Sequence, residues 1–200
     1  MNNFKETVER LKNLKGNVRG DCTEAMVKYL KEIKKESYLP EIQKKMMTEY
    51  GFNEDLEKIK PLNWYPIAFE VALIFSIKEV LDLKDDEIKD LGRNLPKIAF
   101  IVRVLMKYFL TLKRGYEEAP NFWKKHYDFG IMENVEFNQE ERFLILRIKD
   151  FNLHPLYCTF LEGYLETIVK YSVISEKVWV EEVKCSFRQE VSFHEFKIKW

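Results

Sequence analysis

Two of the three cysteines and two of the three histidines in this 200-residue chain fall between His154 and His194. His154 and Cys158 stand four apart across an expected helix start, a spacing that puts both on one helical face. Glu182 and Cys185 stand three apart on an expected strand, and His194 lies on the next one. A turn near Gln189–Glu190 brings Cys185 and His194 roughly opposite each other. Thiolate, imidazole and carboxylate around one point suit a tetrahedral zinc ion. The competing reading is that Cys158 and Cys185 are ordinary core thiols, because free cysteine is usually buried. Spacing alone leaves both open.

Other chemistry is thinly represented. No nucleophile elbow, phosphate-binding loop, dinucleotide fingerprint or zincin motif occurs. The carboxylate pairs Asp85–Asp86 and Glu181–Glu182 are adjacent in sequence, and adjacent residues on a strand face opposite ways. Glu70 and Arg103 each interrupt a nearly continuous apolar helix. A lone buried charge is expensive, so each marks a wet stripe, a mutual ion pair or a ligand contact. Trp64, Trp123 and Tyr127 read as core aromatics or pocket lining, and His126 as a surface residue.

The elements that must position these residues follow from periodicity. Phe4–Leu14 is amphipathic. Asp21 and Glu24 resemble a capping box for a helix reaching about Lys35, with Met26, Val27, Leu30 and Ile33 on one stripe. Pro40 opens a helix stopped at Gly51. Pro66 opens one reaching about Leu81 that is apolar nearly all round and therefore buried. A short helix over Asp86–Leu91 is expected to stop at Gly92, and a second buried helix to run from Lys97 to Leu112, ended by Gly115. Pro120 then opens a short aromatic helix that Gly130 terminates. Val135–Phe137 and Phe143–Ile148 alternate as strands. A helix from Pro155 to about Tyr171 follows, then a hairpin of Lys177–Phe187 and Val191–Trp200.

The expected class is α+β, with N-terminal helices packed on a C-terminal four-stranded antiparallel sheet in ββαββ order. Lys plus Arg and Asp plus Glu number 33 each, so no general pull on nucleic acid is expected. No run of about 18 uncharged apolar residues predicts a membrane span. An odd number of cysteines and a charged N-terminus predict reduced thiols and a cytoplasmic protein.

A resemblance attaches to Trp123-Lys-Lys-His-Tyr-Asp-Phe-Gly130, Phe151-Asn-Leu-His-Pro-Leu-Tyr-Cys158, Gly163-Tyr164, Glu182-Val-Lys-Cys185 and His194-Glu-Phe196. Together they resemble a 4-vinyl-reductase-type domain, whose architecture is similar to the haem-NO-binding fold and which includes aromatic-effector sensors of NtrC-type activators. The resemblance covers roughly residues 60–200. It implies a structural zinc on Cys158, Glu182 and Cys185. The family's fourth ligand, a cysteine, falls here at Phe193 or, one place on, His194; His154 is the alternative. Leu14-Lys-Gly16, Asn63-Trp-Tyr-Pro66 and Leu91-Gly-Arg93 resemble uncharacterised, mainly myxobacterial proteins with the same C-terminal module. The Tyr-x-Ser-x-Arg motif of haem-NO sensors is absent, so no haem is expected.

These readings divide the chain into an N-terminal helical segment, 1–60, able to serve as a dimer arm, and a ligand-binding domain, 61–200. The expected function is a small-molecule sensor or regulatory domain. An apolar or aromatic ligand would sit among Trp123, Tyr127, Phe109, Arg103 and Glu70, and a homodimer would pass its signal to a protein partner. A structural adaptor with a vestigial pocket is the alternative, and a reductase-type enzyme the third class.

Overall fold

The computed structural model describes residues 4–106, 111–173 and 177–200. Helices α1 (Phe4–Lys12), α2 (Asp21–Glu32) and α3 (Leu39–Thr48) precede the central helix α4 (Ile67–Val80). Two short strands, β1 (Asn17–Arg19) and β2 (Trp64–Pro66), pair antiparallel with Val18 opposite Tyr65. The sequence reading missed them because three residues are too few to show alternation. Every residue of α4 from Ile67 to Ile77 is buried, as a helix apolar on all sides requires. Phe4 of α1 stacks on Phe75 of α4 at 4.1 Å. Met26 and Leu30 are buried within the chain's own core, and of their stripe Ile33 is left exposed. The stripe expected to meet a second copy is therefore largely used internally.

Helices α5 (Asp85–Ile98), α6 (Phe100–Met106) and α7 (Leu112–His126) correct three expected boundaries. Gly92 does not end α5, because Ile88, Leu91, Gly92, Leu95 and Pro96 form one buried stripe that carries the helix past it. The expected helix Lys97–Leu112 is broken at Ala99, and its Phe109 and Leu110 lie outside the described residues. Gly115 and Pro120 fall inside α7, where Leu112, Tyr116, Ala119 and Trp123 repeat at helical spacing toward the sheet. Tertiary packing on that stripe outweighs the missing proline N–H. Asp21 is not the N-cap of its own helix. It is the first residue of α2, buried, and its carboxylate accepts from the Ile101 N–H at 3.1 Å and so caps α6. Asp21→Ala should lower the unfolding free energy by about 1–2 kcal/mol in urea titration, as N-cap deletions do.

The sheet matches its expected class. Strands β3 (Ile131–Asn138), β4 (Phe143–Lys149), β5 (Trp179–Lys184) and β6 (Phe193–Lys199) lie in the order β3-β4-β6-β5, all antiparallel. Helix α8 (Pro155–Lys170) crosses between the two hairpins. Leu144, Leu146, Ile148, Phe196 and Ile198 form the inner face, buried against the helices. Ile145 and Arg147 are half-exposed on the outer face, where Arg147 pairs with Glu195.

Helix α8 packs along α5 at glycines. A Cβ on Gly92 would come 2.1 Å from the Phe160 carbonyl oxygen, and one on Gly163 would come 1.9 Å from that of Lys89. The two backbones are in direct contact at this crossing.

Candidate functional site

The Pro155 helix start, the end of β5 and the start of β6 converge on Cys158, Glu182, Cys185 and His194. Antiparallel register opposes Lys184 to Glu195, which carries Cys185 to His194. One ligand atom from each of the four lies within 4.8 Å of the others, and all four residues are buried. His194 Nδ1 is 2.7 Å from Glu182 Oε1 and 3.6 Å from Cys158 Sγ. Its Nε2 faces Ser186 Oγ at 3.0 Å and Asn152 Oδ1 at 3.3 Å. At this separation the Nδ1–H donates to the Glu182 carboxylate; with a metal ion in place, a proton on Nε2 donated to Asn152 would turn the Nδ1 lone pair to the ion, the arrangement by which outer-shell partners orient a ligating histidine.

Burial, followed by the Glu182 charge, raises the Cys158 thiol. Burial also raises Glu182, but hydrogen bonds with His194, Cys158 and Cys185 outweigh it and hold the carboxylate below its usual range. Arg188 pairs with Glu182 and bonds to Cys185. A zinc ion held by two thiolates and one carboxylate would leave one negative charge, which Arg188 beside Glu182 would match. Sequence reasoning did not find Arg188, Asn152 or Ser186. The one signal for Arg188 is its place three residues after Cys185, in the turn where its N–H donates to the Cys185 carbonyl.

His154 is not part of this cluster. Its ring lies edge-on to Phe4 and Phe75, and its Nδ1 accepts from the Leu156 N–H as the N-cap of α8. The residue that shares the helix start with Cys158 thus points to the other side.

A cavity of about 130 Å³ lies between α6, α7, α8 and the sheet. Trp123 and Tyr127 line it, with Val102, Met106, Leu144, Leu146 and Ile148 among its apolar walls. Such a volume is close to that of a dry cavity able to hold benzene, about 150 Å³. His126, expected at the surface, is half-buried and lines the cavity. Burial, then the Arg19 charge, lowers it to about 4, so the imidazole is neutral at ordinary pH. Arg103 is exposed and does not line the cavity, and Phe109 lies outside the described residues.

Glu70 is fully buried and makes no ion pair with Arg103. The Tyr157 hydroxyl donates to its Oε1 at 2.6 Å, and Tyr157 meets the Tyr127 hydroxyl at 2.9 Å. Burial raises Glu70 from 4.5 to about 7 against the pull of the Tyr157 hydrogen bond. The folded chain therefore holds this proton more tightly than the unfolded chain. The resulting stabilisation is complete below pH 4.5 and is lost as pH rises to about 7, amounting to about 3 kcal/mol. Glu70→Gln should flatten this part of the stability–pH curve in urea titrations. An unchanged slope between these limits would refute the assignment.

No protein-family model and no curated protein matches the sequence. Solved structures share its fold. An H-NOX protein from S. oneidensis in the Fe(II)NO state is 12% identical, with TM-score 0.66 over 90% of this chain and 98% of its own. An oxygen-binding H-NOX domain related to soluble guanylate cyclases is 14% identical, with TM-score 0.63 over 90% and 94%. A structure from a study of haem redox potential modulated by protein-induced porphyrin distortion is 15% identical, with TM-score 0.63 over 91% and 94%. The chain has the haem-NO-binding fold. The expectation of no haem is corrected here, since it rested on one missing motif while chains described with Fe(II) and haem share the architecture along nine-tenths of this one.

Proposed function

We propose that the chain is a small-molecule sensor module of the 4-vinyl-reductase type, with an apolar ligand in the α6–α7–α8 cavity and a structural zinc at Cys158, Glu182, Cys185 and His194. The observation that carries the reading is the apolar cavity between the helices and the sheet, lined by Trp123 and Tyr127. The zinc would fasten the start of α8 to the second hairpin, next to Tyr157. Structural zinc sites are closed and four-coordinate, and the cluster supplies four donors. Residues 1–60 would cover α4 and α5, and any signal would pass to a partner chain or a second copy.

A second reading, haem, is favoured by the fold and by His126. Haem iron needs an axial donor, and neutral imidazole is a common one. Bound haem would supply an iron centre for a diatomic gas; His126 is the cavity residue able to hold it, and Leu144, Leu146 and Ile148 would exclude water. The donor chemistry fits. The space is narrower than the roughly 300–1,000 Å³ of pockets for drug-sized ligands, so α6 and α7 would have to part around a porphyrin.

Native mass spectrometry and absorption spectroscopy of protein purified from cells test both. A bound apolar mass supports the sensor, and a Soret band supports haem. An empty dimer that takes up neither haem nor small apolar probes points to the adaptor, and a bound flavin to the enzyme.

A further inference from the structure

Glu70, Tyr157 and Tyr127 form a hydrogen-bonded row that runs from α4 through α8 to the cavity wall. Its inner end is fixed in polarity. A carboxylate only accepts, so Tyr157 uses its single proton on Glu70 Oε1. Tyr157 can then only accept from Tyr127, whose own proton is thereby taken. The Tyr127 hydroxyl keeps lone pairs and no proton to offer, and it has no other hydrogen-bond partner among the described residues. We propose that this row makes the cavity selective for small apolar molecules that carry one hydrogen-bond donor, such as an alcohol, over equally sized molecules that only accept. This rests on the cavity being a ligand site.

The second oxygen of Glu70, Oε2, is buried without a well-formed hydrogen bond among the described residues, although the Thr23 hydroxyl faces the carboxyl and favours its charged form. It is the place for a proton when the group is neutral. A neutral carboxyl can donate as well as accept, so the row can then run in either direction and the selectivity weakens. The groups facing Glu70 are Tyr157 on α8, Asp21, Cys22 and Thr23 on α2, and Tyr127 after α7. Burial first raises Cys22, Tyr127 and Tyr157, so these stay protonated. His126, at about 4, stays neutral. Glu70, at about 7, is the group of this row that changes charge between mildly acidic and mildly basic solution.

The experiment is calorimetric titration of the whole chain with cyclohexanol and cyclohexanone, rings of nearly equal size that do not titrate. At about pH 8.5, with Glu70 charged, cyclohexanol should bind roughly 3- to 10-fold tighter, the value of one net hydrogen bond. At about pH 5.5 the ratio should fall toward one, by the protonation of Glu70. Tyr127→Phe should keep cyclohexanone binding and lose the preference at both pH values, and Glu70→Gln should lose the pH dependence. The pH comparison needs no variant, so a misfolded variant leaves the test intact. Equal affinities at about pH 8.5, or a preference for the ketone, overturn the inference while leaving the cavity as a ligand site. Binding of neither probe removes the cavity reading itself, and this inference with it.

Discussion

Gly163→Ala should destabilise the chain by about 3 kcal/mol or more, and Gly163→Val should prevent stable folding. Overpacking a core typically costs about 1–3 kcal/mol when side chains can turn aside. Here the added Cβ meets the Lys89 carbonyl oxygen at 1.9 Å, and a backbone carbonyl held in a helix has no rotamer to escape to. Relief requires α8 to move off α5 along their whole contact. Gly92→Ala meets the Phe160 carbonyl at 2.1 Å from the opposite side and should behave alike. Urea midpoints of the two variants decide the point. A wild-type midpoint for either would mean that the helices do not approach as closely as described.

Removing the proposed zinc is the second large effect expected. Ligand-linked stability is RT ln(1 + [L]/Kd), about 4 kcal/mol when free zinc exceeds Kd a thousandfold. Chelation of the purified protein, or Cys185→Ser, should lower the unfolding free energy by about that amount. The loss should concentrate at the end of the second hairpin, where hydrogen exchange of the Glu182 and Glu195 amides should quicken. His194→Ala should reproduce it, whereas His154→Ala should leave zinc content unchanged, because His154 caps α8 outside the cluster. A folded wild type that stays metal-free after refolding in zinc would make the Glu182–His194 hydrogen bond the cluster's whole role.

Much of this arrangement was legible in the sequence. Phe143 to Ile148 is a short run, apolar on both faces apart from Arg147, that reads as a strand, Pro155 marks a helix start, and the hairpin register needed only a turn near Gln189–Glu190 to bring Cys185 to His194. Those signals are local and agree with the packing. The failures lie where a local signal opposes a distant one. Gly92, Gly115 and Pro120 punctuate any sequence read residue by residue, yet Gly92 sits in a buried stripe that carries α5 past it, and Gly115 and Pro120 lie inside α7, whose Leu112, Tyr116, Ala119 and Trp123 pack over the cavity. The Gly92 and Gly163 positions are needed by the opposing backbone, which no single segment reveals. Glu70 stood out as a charge in an apolar helix, but its partner did not. Tyr157 is one aromatic among many, and only the fold places its hydroxyl between Glu70 and Tyr127.

The glycine crossing also decides how the molecule can respond mechanically. Shear between packed helices is usually taken up by side chains that shift within their rotamer wells, but at Gly92 and Gly163 the backbones themselves meet, and the flanking pairs Lys89–Glu162 and Arg93–Glu166 tie the same two helices together. Helices α5 and α8 therefore behave as one welded beam, and α8 carries both Tyr157 and Cys158 on it. A guest that swells the cavity pushes against this beam on one side and against α6 and α7 on the other. If the proposed cavity takes a guest, the displacement would therefore pass outward through α6 and α7 rather than through α5 and α8.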